Sequence, residues 1–283
     1  MSPLGKSKSL SDLIAARFAF DPPSGAQADA GPAYPTHHLQ LAHRSHRQFK
    51  STPVSDATLQ LLFSCAMSAP SKSDLQQTSI IHLESPASRA FIATNIPSMP
   101  WISTAPVFLL FCGDSRRARR VCEMRGTDFG HDPLDAFLNA ASDTAMVLQN
   151  FIIAAEAKGL GCCPVSAVRE ITSSLADFTN LPSGVFPLAG LCLGYADDAP
   201  AVSVRLPLAA TIHKDSYNDS ALETIITDYD RRRGLVNGYK IQRHVDAFGM
   251  AEDYGWSTDK ARQISRTDRL AFTQHVKKHG FDM

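Results

Sequence analysis

The sequence predicts an α+β fold, a mixed sheet flanked by helices, and three observations predict it. Two continuous apolar runs rich in strand formers, "APVFLLFCGD" and "GVFPLAGLCLGYAD", read as buried strands. One stretch, "PLDAFLNAASDTAMVLQNFIIAAEAKGLG", is far too long for a strand and reads as a helix. Helices and strands then alternate irregularly, and no Gly-rich phosphate turn follows the first strand. The usual dinucleotide-binding fold is therefore not indicated.

Element by element, residues 1–38 read as an N-terminal arm and residues 39–283 as the globular domain. Within the arm, "LSDLIAARFAF" has the length of two helical turns. "DPPSGAQADAGPAYP" is expected to be extended or mobile. "PVSDATLQLLFSCAMSAPS" predicts a helix capped by Ser55, with Leu59, Leu62, Phe63 and Ala66 on one face and Pro70 as its stop. "TSIIHLE" predicts a short strand, and "SPASRAFIATNI" a helix with Pro at its start. The long helix is apolar around much of its circumference from Ala140 to Ala157, so deep burial is expected. Gly159 suits the position just past its end. "GCCPVSAV" predicts a strand or loop, and "REITSSLADFTNLP" a helix ended by Pro182. "DSALETIITDYDRRRG" predicts a helix capped by Asp219 or Ser220, with three arginines in its last turn. A final helix is expected from about Thr258 to His279.

Composition narrows the function. The 283 residues carry no formal net charge, which argues against bulk electrostatic binding to nucleic acid or an anionic membrane. No apolar run approaches the ~20 residues of a membrane-spanning helix, and the first twenty residues do not read as a secretory signal. The six cysteines have no metal-ligand spacing and are expected to be reduced thiols in a cytoplasmic protein. No metal site is expected.

The cations cluster locally instead. In "HRSHRQF", four of seven residues can carry positive charge. Two readings are open, a solvated turn or a socket in which a guanidinium fork and a hydroxyl hold a phosphate. "SAPSKSDLQ" follows a helix with small polar residues and suits the approach of a flat ligand. "GLGCCPVSAVRE" and "SVRLP" bring further turns after buried elements.

In order and spacing, "HRSHRQF", "SAPSKSDLQQTSII", "DTAMVLQNFIIAAEAKGLG", "FPLAGLCLGYADDAP", "VRLPLAATIHKDSY" and "RRRG" resemble the FMN-dependent nitroreductase superfamily. The similarity is to its larger oxygen-insensitive, NADPH-dependent nitroreductase and flavin reductase branch, and it spans roughly Leu39 to Phe281. The resemblance implies a nitroreductase-like, domain-entwined homodimer with FMN at the interface and the helix from Leu134 to Lys158 at its centre. It implies that His43, Arg44, Ser45 and Arg47 hold FMN by its phosphate and ring edge, that Ser71 contacts the flavin, and that Pro164, Val165, Ser166 and Ala167 pass its reactive ring. A backbone N–H of Ser166 or Ala167 would then stabilise developing charge at N5. Arg205 matches a phosphate-binding arginine, and Arg233 one that holds the extra phosphate of NADPH.

Two departures stand out. Ser203 replaces a lysine of the family pattern, which leaves Arg169 as a candidate substitute cation. Met99 replaces a glutamine at the flavin's pyrimidine edge, with Trp101 beside it as an aromatic wall. No catalytic side chain is implied, because the cofactor carries the redox chemistry. The implied reaction is ping-pong hydride transfer from NADPH, or NADH, to a small nitroaromatic or quinone. The alternatives are a reductase of free flavin and a non-catalytic flavin-binding redox sensor.

Overall fold

The computed structural model describes residues 10–18, 35–266 and 269–281. They form two compact units. The first draws on the described residues of Met1–Arg44 and Ala201–Asp268, the second on those of Ser45–Pro200 and Arg269–Met283.

The first unit opens with α1 (Leu10–Phe18) and α2 (Pro35–Ala42). Leu13, Ile14 and Arg17 of α1 are buried, so this part of the expected arm is packed structure. The stretch expected to be extended falls almost entirely outside the described residues.

The second unit begins its regular structure at α3 (Asp56–Met67). The Ser55 hydroxyl caps it by accepting the Thr58 N–H at 3.3 Å, and Leu59, Leu62 and Ala66 are buried. There follow β1 (Thr78–His82), α4 (Pro86–Asn95), a short α5 (Trp101–Thr104) and β2 (Val107–Asp114), which is buried along its whole length. Next comes α6 (Arg116–Arg125), with five arginines among ten residues and none buried. Its apolar stripe is one turn long, Ala118, Val121 and Cys122, too short to stand out beside five arginines. α7 (Pro133–Ala157) is capped by Asp132, which accepts the N–H groups of Leu134 and Asp135 at 2.9 and 3.2 Å. Gly159, at φ 74°, turns the chain into β3 (Gly161–Val165). A 3-10 turn (Ser166–Arg169), α8 (Thr172–Thr179) and β4 (Val185–Gly194) complete the sequence to Pro200.

The strands lie in the order β1-β2-β4-β3, every neighbouring pair antiparallel. Parallel pairing enters through the isolated bridge Ser45↔Cys162. β2 and β4 are central and β3 is an edge. α3 and α7 pack with Phe111, Leu191 and Leu193 of the sheet to make the largest core cluster. α7 buries Ala136, Asn139, Ala140, Asp143, Thr144, Val147, Phe151, Ile152 and Ala155. Its other face is open in the single chain, with Leu134, Leu138 and Met146 exposed at 56%, 58% and 37%. The deep burial expected of this helix therefore holds for one face.

The first unit resumes with α9 (Leu222–Asn237), α10 (Val245–Phe248) and α11 (Trp256–Ile264), and α12 (Leu270–Lys278) returns to the second. Two expectations are corrected here. α9 runs past Gly234 to Asn237 and has no side-chain cap from Asp219 or Ser220, so its three arginines lie inside the helix. There Arg231 and Arg232 pair with Asp228 one turn back, at 2.6 and 2.5 Å. The single final helix is two, because the chain breaks at Ser265 and restarts at Arg269, whose φ is 63°. Among the described residues no helix is long and apolar enough to cross a membrane, and no cluster of side chains suits a metal ion.

Candidate functional site

The stretch His43–Phe49 crosses from one unit to the other after Arg44. In the second unit it is an anchored extended strip. The His46 N–H donates to the Cys162 carbonyl at 2.9 Å, Lys50 N–H to Tyr195 at 2.8 Å, and Asp197 N–H to Gln48 at 2.9 Å. Gly161 permits this approach, since a Cβ there would lie 2.9 Å from the His46 side chain. Asp198 ties the strip down. Its carboxylate lies 2.6 Å from His46 Nδ1 and accepts the Arg47 N–H at 2.9 Å. Burial pushes this carboxyl up, but the Arg47 N–H and the His46 ring outweigh it and hold the pKa below its ordinary 3.8.

With its backbone held, Arg47 presents an exposed guanidinium 5.4 Å from the Trp101 ring centre. Its only hydrogen bond is a long one to the Ser45 carbonyl, 3.5 Å, and no carboxylate pairs with it among the described residues. Met99 packs, partly buried, against the core on the same side as Trp101.

The loop after α3 is organised by a buried carboxylate. Asp143 of α7, 1% exposed, accepts the Ser71 hydroxyl at 2.7 Å, the Lys72 N–H at 2.9 Å and the Gln77 N–H at 3.1 Å. The Gln76 N–H donates in turn to Ser71 Oγ at 2.7 Å. Within this loop Ser73, Asp74 and Gln76 adopt φ of 52°, 58° and 49°, a left-handed conformation unfavourable for side-chain-bearing residues. The Ser71 hydroxyl thus shapes the loop.

Pro164 and Ser166 are exposed on the edge strand and its turn, while Val165 and Ala167 are buried. Ser166 and Ala167 open the 3-10 turn, whose first N–H groups have no acceptor within it. Ser166 Oγ accepts from Arg269 at 3.2 Å. Arg169 is occupied elsewhere. It donates to the Leu188 carbonyl at 2.9 Å and lies over Phe272, which leaves it a structural cation. The cysteines are free thiols, and burial pushes that of Cys112 up to about 12.

The first unit holds His43, Arg44, Ser203, Arg205 and Arg233. A residue with no sequence signal, Arg17 of α1, gathers their backbones. Its Nη2 donates to the carbonyls of Leu41 at 2.8 Å and His43 at 2.5 Å, and its Nη1 to that of Ser203 at 3.0 Å. Its own carbonyl accepts the Arg205 N–H at 2.9 Å. Arg44 Nε bonds the Ala42 carbonyl at 3.2 Å. The Arg205 guanidinium is exposed and makes no ion pair among the described residues. Arg233 Nη1 donates to the Val204 carbonyl at 3.1 Å and to Tyr229 Oη at 3.0 Å, and its buried Nε has no partner. Arg205, Arg233 and Lys260 line one cavity of about 520 Å³ with Tyr229, Tyr239 and Trp256.

In the second unit the exposed Arg47 guanidinium suits a phosphate monoester and the Trp101 face suits a flat ring. In the first unit the exposed Arg205 guanidinium suits an anion by the same chemistry. These donor types fit FMN. Arg17, Asp143 and Asp198 escaped the sequence. The available signals were a charge within an apolar helix at Asp143 and an acidic pair after a buried strand at Asp198.

Comparison with known proteins gives a family for this arrangement. Residues 41–195 match the nitroreductase family and residues 203–283 the nitroreductase family C-terminal domain. An FMN reductase [NAD(P)H] of Bacillus subtilis is 36% identical over 84% of this chain and 94% of its own length. An oxygen-insensitive NADPH nitroreductase of Salmonella typhimurium is 30% identical over 87% of this chain and 98% of its own. Among solved structures, NfrA2 of B. megaterium superposes with a TM-score of 0.79 at 30% identity, covering 88% of this chain and 98% of its own. The NADPH:FMN oxidoreductase of Vibrio harveyi, complexed with NAD+, gives 0.76 at 26% identity, covering 87% and 97%.

Proposed function

We propose, from the premise that this chain belongs to the nitroreductase family, that it passes hydride from NAD(P)H to small nitroaromatic or quinone acceptors. It is an oxidoreductase that uses FMN. FMN, when bound, supplies the hydride-accepting and hydride-donating chemistry. The chain supplies position and charge. In the second unit Arg47, aided by Ser45, is a phosphate-binding cation; in the first unit Arg205 is one, with His43 and Arg44 as further cofactor contacts. Asp198 holds the Arg47 backbone so that the guanidinium is fixed in advance of binding. Trp101 and Met99 wall the ring and exclude water from one side. The Ser166 and Ala167 N–H groups, fixed by their turn, stabilise negative charge at the ring with no reorganisation at the moment of transfer. Arg233 binds the nicotinamide nucleotide's extra phosphate.

The observation that supports this reading best is the exposed Arg47 guanidinium over Trp101, which has no carboxylate partner among the described residues. Such a charge is poised for an anion. The chain acts as a homodimer, since α7 and α3 leave Leu138, Met146, Leu61 and Met67 exposed on the second unit. A second reading concerns the acceptor alone. The relative at 36% identity is named an FMN reductase, which favours free flavin as the oxidant.

The test is direct. Purified protein should be yellow and release FMN on heating, and NADPH should bleach it within seconds. Steady-state rates with free FMN, a nitroaromatic and a quinone then rank the acceptors. Protein that stays colourless after added FMN contradicts the proposal, and bound FMN that NADPH leaves oxidised points to a non-catalytic binder.

A further inference from the structure

From the contacts of Arg17 we infer that helix α1 is part of the cofactor site, with Arg17 as the residue that positions the phosphate-binding backbone of the first unit. The inference rests on the FMN reading above. It concerns a segment outside both stretches that match the family, which begin at residues 41 and 203.

Four contacts carry it. The Arg17 guanidinium, 6% exposed, donates to Leu41, His43 and Ser203 carbonyls, and the Arg17 carbonyl accepts the N–H of Arg205. One residue thus joins two stretches of the first unit about 160 positions apart in the chain, one carrying Leu41 and His43, the other Ser203 and Arg205. A planar guanidinium with five donors bonds several carbonyls at once, which an ammonium on a flexible stem does less well. Arg17 brings a buried positive charge to the Ser203 carbonyl. The three carbonyls take up its donors, so Arg17 acts through Arg205 and the backbone, and is not itself a phosphate ligand. α1 is held for this purpose by Leu13 and Ile14, both buried.

The experiment uses the full chain stripped of flavin, with FMN and riboflavin affinities read by fluorescence quenching in wild type, Arg17→Ala, Arg17→Lys, Arg205→Ala and the double variant Arg17→Ala/Arg205→Ala. Arg17→Ala should weaken FMN about tenfold, as expected for losing charge-assisted placement of one phosphate contact. Arg17→Lys should weaken it nearly as much, and riboflavin should change by less than about twofold in both. The double variant should bind FMN about as weakly as Arg205→Ala alone, since Arg17 acts through Arg205. Additive losses, or unchanged FMN affinity in Arg17→Ala, overturn the inference. So does an equal loss of both flavins with a lowered melting temperature. Should Arg17→Ala not fold, Arg17→Gln, which keeps an amide donor, is read against the same outcomes. Wild-type protein that fails to bind FMN defeats the cofactor reading instead, and the two failures are distinct.

Discussion

At the scale of single residues, the proposed site divides into groups expected to face the ligand and groups that aim them. Arg47 is the clearest of the first kind, exposed, over Trp101 and with no carboxylate partner among the described residues. Arg47→Ala should weaken FMN by about 2 kcal/mol, near thirtyfold, from the loss of one charge-assisted pair. Riboflavin, with no phosphate, should bind as before. Equal weakening of both flavins on titration would return "HRSHRQF" to the solvated turn. Asp198 is of the second kind, and it carries a pH signature. Its folded pKa lies below the ordinary 3.8, so its contribution to stability is complete above that value and lost as pH falls through the lowered one. Urea unfolding of wild type and Asp198→Asn should differ at pH 6, and the difference should shrink steadily below pH 3.8. A difference independent of pH would mean that the carboxylate's charge is irrelevant. The residues proposed to face the ligand stood out in the sequence because cations so concentrated in a neutral chain require a reason. The aiming residues did not. Arg17, Asp143 and Asp198 act across long sequence separations, and nothing beside them in the chain announces their partners.

At the scale of elements, legibility followed periodicity. β2 and β4 are buried along nearly their whole length and stood out as apolar runs, α3 showed both cap and apolar face, and α4 showed the proline at its start. α6 did not stand out, because among its arginines the apolar stripe is only one turn long. The end of α9 was misplaced because Gly234 resembles a stop, yet Leu235 and Val236 carry the helix on. Nor could the break before α12 be seen, since it depends on the left-handed conformation of a single arginine. The loop after α3 is the element most dependent on one group. Replacing Asp143 by Ala leaves the Lys72 and Gln77 N–H groups and the Ser71 hydroxyl without their acceptor, in a loop with three residues at positive φ. A loss of roughly 3 kcal/mol is expected, read as a lower urea midpoint at unchanged slope. The loop should become protease-sensitive in the folded protein. A midpoint shift within error would mean that other contacts define the loop.

At the scale of the whole molecule, the two-unit division was hidden, because each unit is discontinuous: the first is assembled from the chain's beginning and residues 201–268, with residues 45–200 of the second between them and residues 269–283 of the second after them. The long helix, by contrast, announced a surface. Its circumference is more apolar than one buried face requires, and in the single chain the surplus is exposed. Leu134, Leu138 and Met146 of α7, with Leu61 and Met67 of α3, stand 56%, 58%, 37%, 47% and 45% open. Burying a large aliphatic side chain contributes about 1.5–3 kcal/mol relative to leaving it in water, so five of them in neighbouring helices make a strong drive to associate. The expected outcome is a homodimer at micromolar concentration by light scattering, with α7 at its centre. Leu138→Glu/Met146→Glu places two charges on that face and should give a monomer. Because neither side chain is buried within its own chain, the circular dichroism of the helices should be retained. If FMN binds between subunits, the same variant should also lose the cofactor, and the two losses should track each other across protein concentration. A wild-type monomer would contradict the dimer. A monomeric variant that keeps FMN at full affinity would confine the cofactor site to one chain.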